Sequence, residues 1–415
     1  MRTCTLLAGL VLLLLTACAR HDAVGPPWYA GDTHIHGHGC GGSRPPRQLV
    51  DLMVGAGLSV GSALIWGQGY DEDVAHFTGR DSSASTPETV LRYDLEVSGF
   101  PSDATGHLIA LGLQDIGFPR RPNSLPIAEW AVGQGALVGM AHAQMWPPGY
   151  AFPATDSNAP YEFPVGLALG RLHFLETEAL ETDGDPLPPG ARLLWTSLLN
   201  SGFKVPVVAA SDFPCMAFPA LDSESVRTYV QVYGPLSYDA WLDGIRGGRT
   251  VVARGARDFL AMTVDGADIG SELRLPEGGG TVEFEVETHL RDAATVSIVV
   301  NGHIVAEEAV EASAVQRFSG TIRVSDSSWI AAHAPRVQTG ATYLVVGGRP
   351  IRVSERDPRY FVGYIDHLLS IIDQGGLVTV DGGPEEVRAE IGEIRRDYLR
   401  AREVFERRAA EALGR

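Results

Sequence analysis

Histidines and carboxylates placed where apolar runs end are the residues of this chain best suited to chemistry. In Gly31-Asp32-Thr33-His34-Ile35-His36 two imidazoles stand one residue apart, and strand alternation puts them on one face, where both can reach a single cation. Such pairs also occur on plain surfaces, so the spacing alone leaves both readings open. Glu96 lies at the end of an apolar run over 91–97, His107 opens the run 107–113, His142 closes 136–142 and Asp212 closes 205–212. Taken singly, each reads equally well as a satisfied edge histidine or a loop-capping carboxylate. Jointly they supply metal-ligand side chains from the ends of several strands, which in a barrel converge on one rim. Mixed imidazole and carboxylate donors suit one or two Zn, Mn or Fe ions better than Ca or Cu(I). A cation of that kind lowers the pKa of a bound water from about 15.7 toward 7 and polarises a carbonyl or phosphoryl oxygen. Asp212 or His142 would accept the proton.

Other residues carry weaker signals. His38 extends the motif to His-Ile-His-Gly-His but follows Gly37, which places it in a loop. Glu176 and Glu178 alternate onto one strand face, yet Glu181, Asp183 and Asp185 follow directly, so a solvated acidic loop is the expectation for most of them. Arg227, Arg249 and Arg254 would suit an anionic leaving group; lone arginines more often serve structure. Cys40 lies four residues beyond His36 and Cys215 three beyond Asp212. A disulfide across the site mouth, two free thiols and thiolate ligation of a metal all remain open for them.

These side chains need strands to hold them. Apolar runs at 28–35, 58–65, 92–97, 107–113, 136–141, 173–178 and 205–210 alternate with helical patterns, which predicts an α/β domain over 28–257 with a parallel sheet or barrel. Pro45-Pro46 opens one helix, Ser124 offers a cap for another, and Gly202 ends a helix whose Leu194, Leu198 and Leu199 share a face. Period-two segments such as Thr281-Val-Glu-Phe-Glu-Val-Glu predict a small antiparallel β-sandwich over 258–353. A helical segment over 354–415 completes the chain: Asp357-Pro358 starts one helix and Gly375 stops it. On a second helix Val387, Ile391, Ile394, Tyr398, Ala401 and Phe405 form a stripe expected to pack on the domains.

Compartment and partners follow from the ends and the charge. Arg2, an apolar run over 6–15 and Leu15-Thr16-Ala17-Cys18 read as a lipoprotein signal peptide over 1–17, with Cys18 lipidated and residues 18–27 as a tether. The expected product is exported and membrane-anchored, facing the periplasm or the cell exterior. Formal charge is −18, and loss of Arg2 with the leader makes it −19; nucleic-acid partners are excluded because phosphate binding needs clustered cations.

Trp28-Tyr29-Ala30-Gly31-Asp32-Thr33-His34-Ile35-His36 with Gly41-Gly42, then Gly106-His107-Leu108, Gly139-Met-Ala-His142 and Ser211-Asp212 resemble, in order, the PHP superfamily of metallohydrolases in its carbaryl-hydrolase-like (CehA/McbA) branch. Also similar are Leu198-Leu-Asn-Ser-Gly-Phe-Lys-Val-Pro, Val226-Arg-Thr-Tyr-Val-Gln-Val and the stretch from Ala240 to Thr250. The resemblance implies a distorted (β/α)7 barrel, hydrolysis of an ester-type bond in a small molecule, and divalent metals held by His34, His36, Glu96, His107, His142 and Asp212, with Glu96 as the bridge. Where many members carry an Asp-His pair after the second strand, this chain has Ile65-Trp66-Gly67-Gln68, and where they carry a histidine two residues after the last aspartate it has Pro214. Six ligands suffice for one or two metals, and a three-metal site is not expected. The competing expectation is a surface-anchored binding lipoprotein with a degenerate metal site.

Overall fold

The computed structural model describes residues 20–21, 26–99, 105–143, 160–178, 189–215, 220–376, 378 and 383–413. The expected leader, Cys18 and the acidic residues Glu181, Asp183 and Asp185 lie outside them. Among the described residues no helix is long and apolar enough to cross a membrane.

Seven strands follow one another across the sheet in chain order: β1 (Trp28–Ile35), β2 (Val60–Ile65), β3 (Val90–Val97), β4 (Leu108–Leu111), β5 (Leu137–Met140), β6 (Phe174–Glu178) and β7 (Val207–Ala210). Each falls within two residues of an apolar run expected from the sequence, because continuous burial on both faces demands continuous apolar runs. Helices α1 (Pro46–Ala56), α2 (Leu125–Gly133), α3 (Phe163–Ala168) and α4 (Pro189–Asn200) lie between them. Pro46 sits in the first turn of α1, and Gly202 takes the left-handed conformation (φ 82°) just past α4, as a helix stop requires. Ser124 precedes α2 without capping it; its hydroxyl pairs instead with Thr105 Oγ1 at 2.6 Å.

The sheet is mixed, whereas the alternation of elements suggested a parallel one. β4 runs antiparallel to both β3 and β5. Residues 98–107 are too few for a parallel crossover, which needs about a dozen or more. The reversal bears on function: His107, at the start of β4, stands on the same rim as residues at the ends of the parallel strands.

The seven strands curl until β7 comes back beside β1. There the ladder stops: among the described residues the junction is one isolated parallel bridge, Ile35 to Phe213, with His36 N–H donating to the Phe213 carbonyl at 2.8 Å. Asp32 reinforces it, accepting from the Ser211 hydroxyl at 2.6 Å and the Ser211 N–H at 3.2 Å. Inside the curl Val60, Leu64, Ile109, Leu111, Leu137, Phe174 and Val208 pack on Trp241, Leu242 and Ile245 of α5 (Tyr238–Arg246). Gly31 is needed there, since a Cβ would lie 2.4 Å from the Trp241 ring.

On its other edge β1 continues antiparallel into β8 (Val226–Gln231) and β9 (Thr250–Arg254), and β9 pairs with Val337–Thr339. A second, four-stranded antiparallel sheet built around Gly280–His289 shares one core with these distal strands, through Val282, Phe284, Val286, Ile298, Ile330 and Leu344. Two helices, α6 (Arg356–Asp373) and α7 (Pro384–Leu413), close the opposite side. Asp357 lies in the first turn of α6 instead of capping it, held by Ser354 Oγ at 2.9 Å. Ile394, Tyr398, Ala401 and Phe405 are buried against Leu198, Leu199 and Phe361, so the stripe packs inward as expected.

Candidate metal centre

His34 sits beside a register shift in β1. Asp32 pairs with Gly61 but Ile35 with Ala63, so β1 holds one residue more than β2 over this interval, a bulge of the kind that re-aims side chains beside active sites. Its effect is that Thr33 and His34, neighbours in the chain, both reach Glu176. The Thr33 hydroxyl donates to Glu176 Oε2, and His34 Nδ1 lies 2.8 Å from Oε1. His36 Nδ1 lies 3.1 Å from the Leu64 carbonyl. With Nδ1 of both rings directed at oxygen, Nε2 of each is the nitrogen that faces inward, the arrangement that orients metal-binding histidines.

Three donor atoms converge, and a fourth, from Glu96, lies beside two of them. His34 Nε2 lies 3.2 Å from His36 Nε2, 3.2 Å from Glu96 Oε2 and 3.3 Å from Asp212 Oδ1, while His36 Nε2 lies 2.9 Å from Asp212 Oδ1 and 3.4 Å from Glu96 Oε2. A tetrahedral shell with metal–donor distances of about 2.0–2.1 Å has donor–donor edges of about 3.3–3.4 Å. His34 Nε2, His36 Nε2 and Asp212 Oδ1 thus stand where a first coordination shell would put them, with Glu96 Oε2 at that spacing from the two imidazoles, and the donor set fits a divalent cation.

The electrostatics agree. His34, His36, Glu96 and Glu176 are buried and Asp212 nearly so. Burial disfavours a charged His34, yet the Asp212, Glu96 and Glu176 carboxylates hold its pKa well above the usual imidazole value. Burial likewise pushes Glu96 upward, but His34, His107 and His36 pull it well below the usual carboxylate range. Such a cluster of buried carboxylates calls for positive charge, which a bound cation would supply. Asp32, buried beneath the bulge, is raised to about 7.

The remaining expected ligands form a second group on the same rim. His107 Nδ1 is 3.0 Å from Glu96 Oε1, the oxygen facing away from the first group. The His142 ring centroid is 5.2 Å from that of His107 and 6.2 Å from that of His34. His142 and Asp212 both adopt positive φ, 51° and 47°, conformations uncommon outside glycine that cluster at functional sites. All six residues therefore come to one rim.

Other candidates are placed elsewhere. His38 turns to Asp73, with Nδ1 2.6 Å from Oδ1 and the backbone N–H donating to Oδ2 at 3.0 Å. Trp66 sets its ring centroid 4.8 Å from that of His36, tilted by 36°. Arg227 is buried and spends its guanidinium on the carbonyls of Ala56, Asp222 and Ser225; Arg249 donates to the Gln231 carbonyl and covers the Tyr233 ring. Cys40 and Cys215 form a disulfide with Cα atoms 5.1 Å apart, which settles the three readings of that pair. Glu176 is the main residue the sequence undervalued; its period-two position on β6 was the available signal, and the acidic residues behind it obscured that signal.

No family model and no curated protein matches the chain. Among solved structures, it is similar to a two-domain protein from Bacteroides vulgatus containing a predicted PHP-like metal-dependent phosphoesterase, at 12% identity and a TM-score of 0.41 over 80% of this chain and 94% of that one. Another match is the sulfur carrier protein SoxY from Chlorobium limicola, at 15% identity and a TM-score of 0.16 over 21% of this chain and 77% of that one. Likenesses this distant carry no weight for function, which rests on the site's own geometry.

Proposed function

We propose that this chain is a metal-dependent hydrolase that cleaves an ester-type bond, whether carboxylic, carbamic or phosphoric, in a small molecule. The observation that carries this reading is the convergence of His34, His36 and Asp212 at coordination-shell spacing, with both imidazoles fixed from behind and Glu96 Oε2 3.2 Å from His34 Nε2. These four would hold one cation, and Glu96 Oε1 with His107 and His142 a second. Zn, Mn or Fe suits the nitrogen and oxygen donors. A bound cation supplies Lewis acidity, lowering the pKa of a water from about 15.7 toward 7 and polarising the ester oxygen. The protein's part is to hold Nε2 of His34 and His36 aimed inward, and to offer the Asp212 carboxylate or the His142 imidazole as proton acceptor.

The finer assignments belong to the same reading. We take the curled strands as a (β/α)7-type barrel of the PHP superfamily, in the carbaryl-hydrolase-like branch, with the second sheet as an appended β-sandwich. We take the protein as exported and tethered through Cys18; a disulfide fits an oxidising compartment. Metal analysis of purified protein, followed by a screen of chromogenic carboxylic, carbamic and phosphoric esters with Zn- and Mn-loaded protein, tests the proposal. Stoichiometric metal with hydrolysis abolished in His34→Ala is the expected result. Substoichiometric metal and no change in behaviour after chelation would overturn it in favour of a binding lipoprotein.

A further inference from the structure

The junction between β1 and β7 is the weakest part of the curl, and the first group of donors straddles it. His34 stands on β1, His36 just past it and Asp212 just past β7, and among the described residues one backbone bridge joins the two strands. Asp212 is moreover held in the left-handed region, φ 47°, where a non-glycine residue stays only if its surroundings impose it. The Cys40–Cys215 disulfide lies at this rim, 175 residues apart in sequence. Cys215 N–H donates to the Asp212 carbonyl at 2.7 Å, so the covalent link acts on the turn that contains Asp212. On the other side, Cys40 sits on the Gly37–Arg44 loop that leaves His36 and is closed by Arg44 N–H on the Gly37 carbonyl at 2.8 Å.

We infer that Cys40 and Cys215 are positioning residues for the metal site: their disulfide holds the β1–β7 junction closed so that Asp212 Oδ1 stays in coordination range of the His34 and His36 nitrogens. This rests on the metal-binding reading above. The 2.9 Å separation of His36 Nε2 and Asp212 Oδ1 is set by two elements with little ladder between them. Without the link the left-handed turn at Asp212 relaxes toward commoner backbone, and the carboxylate leaves the shell. Neither sulfur is a ligand in this account. Cys40 is exposed, so a soluble reductant can reach the bond.

The test measures metal binding directly, by competition of Zn(II) against a chromophoric chelator and by the visible spectrum of the Co(II)-loaded protein. Compared are the oxidised full chain, the chain reduced with a phosphine and exchanged into anaerobic buffer, C40S/C215S, and Val337→Ala. The last lowers stability from the distal core, where Val337 is fully buried, without touching the rim. Expected is a 10- to 100-fold weaker Zn(II) affinity in the reduced chain and in C40S/C215S, the range typical of lost supporting contacts, with unchanged far-ultraviolet dichroism and an altered Co(II) spectrum. Val337→Ala should keep the oxidised wild-type affinity. The inference is overturned if reduction changes affinity no more than Val337→Ala does, or if the reduced protein shows a sulfur-to-cobalt charge-transfer band, which would make the thiols ligands. C40S/C215S that fails to fold leaves the reduced wild type to decide. Absence of stoichiometric metal in the oxidised chain would instead sink the hydrolase reading itself.

Discussion

Replacing Glu176 separates a metal-orienting role from a merely structural one. Its carboxylate is fully buried, accepts from the Thr33 hydroxyl and stands 2.8 Å from His34 Nδ1. Glu176→Gln keeps the shape and an acceptor oxygen but removes the charge; Glu176→Leu removes both. Loss of such a partner typically weakens metal affinity 10- to 100-fold, about 1.4–2.7 kcal/mol, so Gln should fall near the lower end and Leu near the upper. Proton competition sharpens the expectation. Glu176 is one of the carboxylates that hold the His34 pKa well above its usual value, and it stabilises a proton on that ring as it stabilises a metal. The deficit should therefore be largest at alkaline pH, where His34 is unprotonated in every variant, and shrink toward acid as proton and metal lose the same support. Chelator competition at several pH values, with circular dichroism as a folding control, reads this directly. Affinities within twofold of wild type in both variants, or a deficit independent of pH, would refute the orienting role.

Four further outcomes follow from the same geometry. His34→Ala should drop bound metal below one equivalent, measured by elemental analysis after dialysis. Chelation of wild-type protein should lower the melting temperature, since a ligand at a hundredfold excess over its Kd contributes about 2.7 kcal/mol. Asp94 is buried, with its pKa raised to about 6 from 3.8 chiefly by desolvation. The folded state keeps this proton between those values while the unfolded chain has lost it, so the contribution to stability is full below about 3.8, declines as pH rises to about 6 by roughly 3 kcal/mol, and stays level above; denaturant titrations of Asp94→Asn should lack that decline. Tyr398→Phe takes the hydroxyl donated at 2.9 Å to buried Glu162 and should cost about 1–3 kcal/mol, seen as faster proteolysis within α7.

Much of the site was legible because the donors lie at the ends of apolar runs, His107 at the start of its run and others where theirs stop. His34, His36, Glu96, His107, His142 and Asp212 could be named from where strands begin or stop, and the cysteine pair from its distance to two of them. Direction was not legible. Nothing in the residues 107–113 marks β4 as reversed; that depends on the short link from β3, and chain length between strands was the overlooked clue. Glu176 escaped for a different reason. Its partner is chosen by the bulge at Asp32–His34, an extra residue visible only when β1 is set against β2, and period-two reasoning places Thr33 and His34 on opposite faces. His38 shows the converse, a histidine with good spacing whose ring goes to Asp73, a residue on a short helix (Tyr70–Asp73) that no motif pointed to.

The location of the donors gives the cation a second task. A curled sheet whose first and last strands meet through a single bridge leaves backbone groups there without ladder partners, and closure depends on side chains. Among the described residues, side chains span the gap at Ser211 on Asp32, at the Cys40–Cys215 bond, and at the contacts of Asp212 with His34 and His36. Of these, the last pairs groups that gain most from a shared cation. Metal binding and junction closure should therefore be one equilibrium, with the binding free energy appearing partly as stability of the curl. On that view the disulfide and the metal reinforce each other: each reduces the freedom the other would have to restrain, and removal of both should destabilise the β1–β7 edge by less than the separate removals add up to, because either removal alone already forfeits their coupling.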